Sequence, residues 1–239
     1  MQSTTREELK YLISHLTRQF MLARCGMYLV RDQHAGQDGV YPVLSQYYDS
    51  PTLSFYNDKI EGFGVRNKVR IRTYDLSFDG RAPVYLELKQ RVDDGILKTR
   101  ERVANPAQAL ADPSTWGATT SSTFGYLAER RQLRPSAGVF YFREAYRGAS
   151  DRDLRVTFDT NVIAVAPGQR LSRETVNDAE ELLLPDNHVI LEIKAKGDIP
   201  AWVRRVIVDL ELARRTLSKY VMAADRLRLA DTCTSGVWA

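Results

Sequence analysis

The sequence predicts an α+β protein built on antiparallel strands, and three observations carry that prediction. Several segments alternate with period two between turn residues, as strands do. Two further segments carry apolar residues at helical spacing. The alternation is also lopsided, gathering arginine and lysine on one strand face and aliphatic residues on the other. With 239 residues, 44% of them hydrophobic, the chain can bury a substantial core.

The elements follow in order. Residues 6–13 read as a short strand. From His15 to about Arg31, Leu16, Phe20, Ala23 and Met27 recur as one helical stripe. The stretch from His34 to Gly39 is turn-rich. Alternating strands are expected at 43–49, 65–74, 83–91, 96–103, 138–146, 154–166 and 188–196. Between the fourth and fifth of these, Asn105 to Pro135 begins as a Ser/Thr/Pro-rich loop and ends in a helix near Phe124–Leu133. Pro200 opens a helix running to about Leu217, with Trp202, Val206, Leu210, Ala213 and Leu217 on one stripe facing the core. A last helical piece starts near Tyr220. No repeat and no long linker divides the chain, so one domain is expected over 1–239.

Strand geometry turns this pattern into faces. Arg66, Lys68, Arg70 and Arg72 share a face opposite Val69 and Ile71. Tyr85, Glu87, Lys89 and Arg91 share one opposite Val84, Leu86 and Leu88. Lys98, Arg100 and Arg102 align, as do Arg143 with Tyr141, and Arg155 with Thr157 and Asp159. Ile190, Glu192, Lys194 and Lys196 stand opposite Val189, Leu191 and Ile193. Two architectures satisfy this pattern: an open sheet with a solvated charged face, or a closed barrel with a charged interior and helices over its apolar exterior. The excess of cations over the scattered acids Glu87, Asp159 and Glu192 suits the second. A cation cluster shielded from water requires an anionic ligand. Phosphates, with a divalent metal on the few carboxylates, would satisfy it.

Composition removes other classes. Mean hydropathy is −0.36 and 27% of residues are charged, a soluble globular balance. The longest apolar run, Val162–Ala166, is far too short to span a bilayer, and the polar start through Thr4, Thr5, Arg6, Glu7 and Glu8 is not a secretory signal. Cys25 and Cys233 form no disulfide framework, and His15, His34 and His188 share no metal motif with them. Net charge is only +4, but 26 of the 34 basic residues are arginines, whose planar fork suits phosphate. Nucleic acid would call for an exposed basic patch with aromatic platforms, whereas these cations are spread over several strands in phase. No nucleic-acid partner is expected.

The motifs, taken together, resemble those of VTC domains. They are Arg6-x-Glu8-Leu9-Lys10-Tyr11, Ser45-x-Tyr47-Tyr48-Asp49, Arg66-x-Lys68-x-Arg70-Ile71-Arg72-x-Tyr74 and Leu86-Glu87-Leu88-Lys89. Tyr141-x-Arg143-x-Ala145-Tyr146, Arg155-Val156-Thr157-Phe158-Asp159, Leu191-Glu192-Ile193-Lys194 and Ser218-Lys219-Tyr220 follow in the same order. The match covers residues 6 to about 222. The resemblance, to a group of triphosphate tunnel metalloenzymes related to CYTH domains, implies a closed antiparallel barrel of about eight strands forming a basic tunnel, with helices outside. It implies a polyphosphate polymerase that moves the terminal phosphoryl of ATP or another nucleoside triphosphate onto polyphosphate. Relatives that hydrolyse triphosphate or nucleotides, and a non-catalytic polyphosphate-binding module, are the alternatives.

Carried over by position, the resemblance implies phosphate contacts from Lys10, Arg70, Arg72, Lys89, Lys98, Arg143, Arg155, Lys194 and Lys219. It places catalysis on Arg70, Arg72, Lys89 and Glu192. Glu192 is the expected ligand of Mn²⁺ or Mg²⁺, with Glu8 and Glu87 as further candidates. The plainer readings make Glu192 a counter-charge for Lys194 or Arg143, and make Glu8 and Glu87 salt-bridge partners. Arg6 stands where CYTH proteins carry the first Glu of Glu-x-Glu-x-Lys, a departure that suits VTC domains better than CYTH hydrolases. The reading expects a cytoplasmic chain without a membrane segment of its own, compatible with a membrane-protein partner that takes the product.

Overall fold

The computed structural model describes residues 6–33, 39–93, 95–169, 171–172, 176, 182–185 and 187–234. His34 and most of the expected turn beside it, and the side chains of Arg6 and Cys233, lie outside the described residues. The elements begin with β1 (Arg6–Ser14), α1 (His15–Cys25), β2 (Leu29–Arg31), β3 (Val40–Asp49), α2 (Ser54–Ile60), β4 (Val65–Thr73), β5 (Val84–Val92) and β6 (Gly95–Arg102). Then come α3 (Pro106–Ala111), α4 (Trp116–Thr119), α5 (Ser122–Arg131), β7 (Arg134–Gly148), β8 (Arg155–Val165), β9 (His188–Lys196), α6 (Ala201–Asp209), α7 (Lys219–Arg226) and α8 (Leu229–Thr234). The chain divides into two compact units. One comprises residues 1–41, 141–162 and 184–217, the other residues 42–140, 163–183 and 218–239.

In the first unit the strand order is β1-β9-β8-β7, with β2 on β7. β1 and β9 are antiparallel, pairing Glu8 with Lys194 and Lys10 with Glu192, and β8 and β9 pair Thr157 with Glu192. This register puts charged residues on one face and Leu191, Ile193, Val156 and Phe158 on the other. Met21 and Cys25 of α1 and Val203 and Val206 of α6 cover that apolar face. Ser14 ends β1 and caps α1, its hydroxyl accepting from the Thr17 amide at 3.0 Å.

Two expectations in this unit are corrected. The stripe Leu16, Phe20, Ala23 and Met27, read by spacing alone, faces solvent, while Met21 and Cys25 turn toward the sheet. The helix also stops at Cys25, and residues 29–31 pair with β7 as β2. The helix expected to reach Leu217 ends at Asp209, since Glu211 takes a left-handed φ of 50°. Beyond it the chain turns back along β1: Arg214 bridges Tyr11, and the Arg215 amide donates to the Lys10 carbonyl at 2.8 Å.

In the second unit the order is β7-β3-β4-β5-β6. Val69, Ile71, Val84, Leu86 and Leu88 form the apolar face, packed under Phe55, Ala109, Trp116, Phe124 and Ala128 from α2 to α5. The stretch read as a Ser/Thr/Pro loop contains α3, which Pro106 opens and Asn105 caps by accepting from the Gln108 amide at 3.2 Å. Asp49, at the end of β3, accepts amide hydrogens from Ser50, Phe55 and Tyr56 and the hydroxyl of Tyr220. It therefore joins β3, α2 and α7, and burial pushes its carboxyl up despite those bonds.

The whole is α+β, with antiparallel ladders and helices on the apolar faces. The strand order has ends at β1 and β6, and among the described residues no ladder joins them, where a closed barrel was expected. No described helix is long and apolar enough to cross a membrane.

The close approach of α4 and α5 is testable. A Cβ on Gly125 would collide with the Cα and N of Gly117, backbone atoms that cannot swing aside. Gly125→Ala should cost roughly 1–3 kcal/mol, the range for overpacking, read as a lowered urea midpoint. An unchanged midpoint would mean that the two helices have room to part.

Candidate phosphate-binding and metal-binding sites

In the second unit the register stacks the charged positions into rows across the strands. Lys68 stands opposite Lys89, and Lys89 opposite Lys98. The next row is Tyr47, Arg70, Glu87 and Arg100, and the one after it Ser45, Arg72, Tyr85 and Arg102. Arg66 faces Arg91 on the other side of the lysines. Directly opposed side chains lie about 4.5–5.5 Å apart at Cβ, so like charges there repel and destabilise the sheet.

One carboxylate offsets much of this charge. Glu87, 3% exposed, accepts from the Arg70 Nε and Nη2 at 2.8 and 2.6 Å, with Arg100 Nε at 3.4 Å and Lys98 Nζ at 3.8 Å. Burial raises the Glu87 carboxyl, but Arg70, Arg72 and Lys98 outweigh it and hold it at about 2. The Arg70 Nη1 donates to the Tyr47 hydroxyl at 3.1 Å. Burial likewise raises that phenol, yet Arg70, Arg72 and Lys68 draw it down to about 8. Lys98 is lowered, chiefly by desolvation. Arg72 is buried and donates to the Ser45 hydroxyl at 2.9 Å. Lys68 donates to the Ser218 hydroxyl at 2.9 Å, immediately before Lys219 at the start of α7.

The first unit has a different balance. Glu192, 5% exposed, has Lys194 Nζ at 3.0 Å, Lys10 Nζ at 3.6 Å and Arg143 Nη2 at 3.8 Å. Glu8 lies 3.3 Å from Lys10 and 3.8 Å from Lys194, so these two lysines link both carboxylates. Arg143 forms a two-pronged pair with buried Asp159, both bonds at 2.7 Å. Desolvation works to lower Arg143, but Asp159, with Tyr141 and Glu192, raises it well above its ordinary value. Arg155 stands with other partners, its Nη2 3.1 Å from the Tyr41 hydroxyl and 3.7 Å from buried Asp32.

The expected residues thus fall into two groups. Arg70, Arg72, Lys89, Lys98, Glu87 and Lys219 belong to the second unit, and Lys10, Glu8, Arg143, Arg155, Glu192 and Lys194 to the first. Lys68, Tyr47 and Arg100 join the second group without having been assigned a role. Lys68 was legible, being in phase with Arg70 and Arg72. Asp32, which Arg147 and Arg155 approach, carries no such signal because it lies outside the strands.

Among the described residues, no three His, Cys, Asp or Glu side chains assemble into a metal cage. Glu192 and Glu8 still suit a hard cation that takes most of its ligands from phosphate and water. Thr157, the register partner of Glu192, has its hydroxyl buried without a hydrogen-bond partner among the described residues, an oxygen available on the same face.

The profile of the VTC domain matches residues 5–228. Solved structures that match include one from Bacillus halodurans, described as a candidate adenylate cyclase. It is 14% identical, with a TM-score of 0.53, over 90% of this chain and 95% of that one. At that identity the likeness concerns the fold alone. A search of curated proteins found no match.

The charge on Glu87 is open to test. Its folded carboxyl titrates at about 2 against an ordinary 4.5, so its stabilisation is complete above pH ~4.5 and lost as pH falls through about 2. That difference corresponds to about 3 kcal/mol at neutral pH. The stability gap between the unaltered protein and Glu87→Gln, from urea unfolding, should shrink by that amount between pH 6 and pH 2. A gap independent of pH would remove the cations' hold on this carboxylate.

Proposed function

Since this chain belongs to the VTC domain family, we propose that it is a polyphosphate polymerase that extends polyphosphate with the terminal phosphoryl group of ATP. The observation that carries this reading is the row Lys68-Lys89-Lys98, flanked by Arg66 with Arg91 and by Arg70 with Arg100. Three lysines in direct opposition are tolerable in a folded sheet when a polyanion lies across them. The proposal takes the chain as one domain over 1–239 and retains the closed basic tunnel implied by the resemblance. Its chemistry rests on the two charge clusters, each taken separately.

Phosphoryl transfer asks chiefly for alignment and for stabilisation of charge on the transferred group. A terminal oxygen of polyphosphate attacks the γ-phosphorus of ATP. The bond from that phosphorus to the β,γ-bridging oxygen breaks, and ADP leaves with the electron pair. The acceptor oxygen is already ionised, so no general base is required. Arg70, Arg72, Lys89, Lys98 and Lys219 of the second unit, and Lys10, Arg143, Arg155 and Lys194 of the first, are proposed to hold phosphate oxygens. Glu87 is better suited to fixing Arg70 than to holding a metal, because its oxygens already face three cations. Glu192 and Glu8 are the proposed holders of Mn²⁺ or Mg²⁺, which would neutralise phosphate charge beside them. Location in the cytoplasm, and a membrane partner that accepts product, complete the proposal.

Purified protein with ATP and Mn²⁺ should give polyphosphate ladders on a gel. Free phosphate without ladders would assign hydrolysis instead. Glu192→Ala should lower turnover by roughly 10²–10³, as loss of an electrostatic contact to the transition state does, while leaving metal-free polyphosphate binding equal or tighter. Turnover unchanged at every Mn²⁺ concentration would remove Glu192 from the metal.

Lys89→Ala should weaken polyphosphate binding by about 1.5–3 kcal/mol, the value of a charge-assisted hydrogen bond, and should not lower the melting temperature, since it relieves repulsion. Calorimetry would decide. Equal affinity in the variant counts against the lysine row as the binding track.

A further inference from the structure

At one end of the charged rows in the second unit, two partly exposed rings join the cations. Tyr85 shares its row with Arg72 and Arg102, and Tyr74 follows Arg72 in the same phase. The two rings meet edge to face with centroids 6.5 Å apart. The Arg100 guanidinium lies over the Tyr85 ring at 3.7 Å and over the Tyr74 ring at 5.6 Å. It also donates to the Tyr74 hydroxyl at 3.3 Å and lies 3.4 Å from the Glu87 carboxylate. Two rings and one carboxylate thus fix the plane of this arginine, while 37% of its side chain is exposed. The result is a partly exposed guanidinium backed by the Tyr85 ring, with the Tyr74 ring set at an angle beside it.

We infer that the Tyr74-Tyr85-Arg100 corner seats the nucleobase of the nucleoside triphosphate donor, and that the phosphate chain runs from there toward Lys68, Lys89 and Lys98. This assignment rests on the phosphate-transfer reading above and adds to it a base site and a direction. A nucleotide is an aromatic plate joined through a sugar to a line of anions, and the rows present partners in that order. Successive rows lie about 6.6–6.8 Å apart along a strand, so the plate precedes the lysine row by two rows, or about 13 Å. The opposite end offers Arg66 and Arg91 with Ile96 beside them, cations without a ring.

Other ring pairs of this unit are poor candidates. Tyr47 on Tyr220 and Tyr48 on Trp116 are buried, none of the four rings more than 5% exposed. Tyr74 and Tyr85 are only half-buried. Bases stack on aromatic rings and on arginine planes alike, with little dependence on which base is present. The plate therefore recognises that a base is there, while the cations read the phosphates. Tripolyphosphate, lacking a base, should bind the cation rows without stacking on the Tyr74 and Tyr85 corner.

The experiment compares ATP with inorganic tripolyphosphate, both in EDTA so that neither turns over. Against the unaltered protein, the double variant Tyr74→Leu/Tyr85→Leu should bind ATP five- to a hundred-fold more weakly, the range for loss of base stacking, and bind tripolyphosphate within two-fold as before. Equal weakening of both ligands would mean that the rings only hold Arg100 for phosphate, and no change in either would place the base elsewhere. Both results overturn the assignment. The unaltered protein supplies a check independent of how the variant folds: the emission of 1,N6-ethenoadenosine triphosphate should change on binding, and excess tripolyphosphate should reverse the change. Saturable binding of this probe with unaltered emission overturns the assignment while sparing the phosphate-transfer reading. If the unaltered protein binds neither ATP nor tripolyphosphate, that reading falls and this one falls with it.

Discussion

Everything in the second unit follows from one constraint: a strand has only two faces, and helices cover one of them. Once Val69, Ile71, Leu86 and Leu88 are committed to the core with Trp116 and Phe124, alternation leaves the cations of β4 and β5 no other direction. Antiparallel register then sets them against one another, Lys68 against Lys89 and Lys89 against Lys98. A sequence selected for stability alone would alternate signs across these rows, since opposite charges in such positions attract and like charges repel. Glu87 does so in one row only. The residual repulsion is a cost of folding that a bound anion reverses, which is why the arrangement points to a ligand more firmly than net charge does.

The two clusters differ in kind. Around Glu87 a single carboxylate serves three cations, and the surplus is positive. In the first unit Lys10 and Lys194 lie between Glu8 and Glu192, Arg143 is matched by Asp159, and Arg155 has Asp32 nearby. There the cations are nearly balanced and the acids sit close together. Such a cluster is poised for exchange: a divalent cation entering beside Glu192 and Glu8 would free lysines to meet the phosphate oxygens it brings. The surplus cluster needs no metal to attract an anion. In the proposed reaction one group would hold a chain, and the other would manage charge at the reacting phosphate.

Much of this was legible in the sequence, for a physical reason. Period-two alternation is a property of strand backbone, so the charged faces and the apolar faces could be read residue by residue, and the helices do cover Ile71, Leu88, Leu191 and Ile193. What the sequence did not disclose was set by tertiary partners. The apolar stripe of α1 showed helical spacing but not which face meets the sheet, and the way β1 enters the helix turns Met21 and Cys25 inward. The long helix after Pro200 looked continuous by spacing, yet Glu211 adopts a left-handed conformation that no periodicity reveals. Asp49 stood only as the end of a motif, and it is a structural junction, its carboxylate used up by three amides and Tyr220. Lys68 was visible by phase, but its opposition to Lys89 needed the register.

Two residues of the second unit respond to the same positive charge. Glu87 and Tyr47 are both buried, and burial alone would raise both. Instead the carboxyl is held at about 2 and the phenol at about 8. The two groups differ in chemistry and lie on different strands, and they share Arg70 and Arg72 as causes. The field that overrides their desolvation is the field that an incoming phosphate would meet. Arg143 in the first unit shows the opposite, since its proton is held more tightly because Asp159 and Glu192 surround it with negative charge. The second unit thus carries a surplus of positive charge and the first a set of matched pairs, two environments that the proposed phosphoryl transfer would use in different ways.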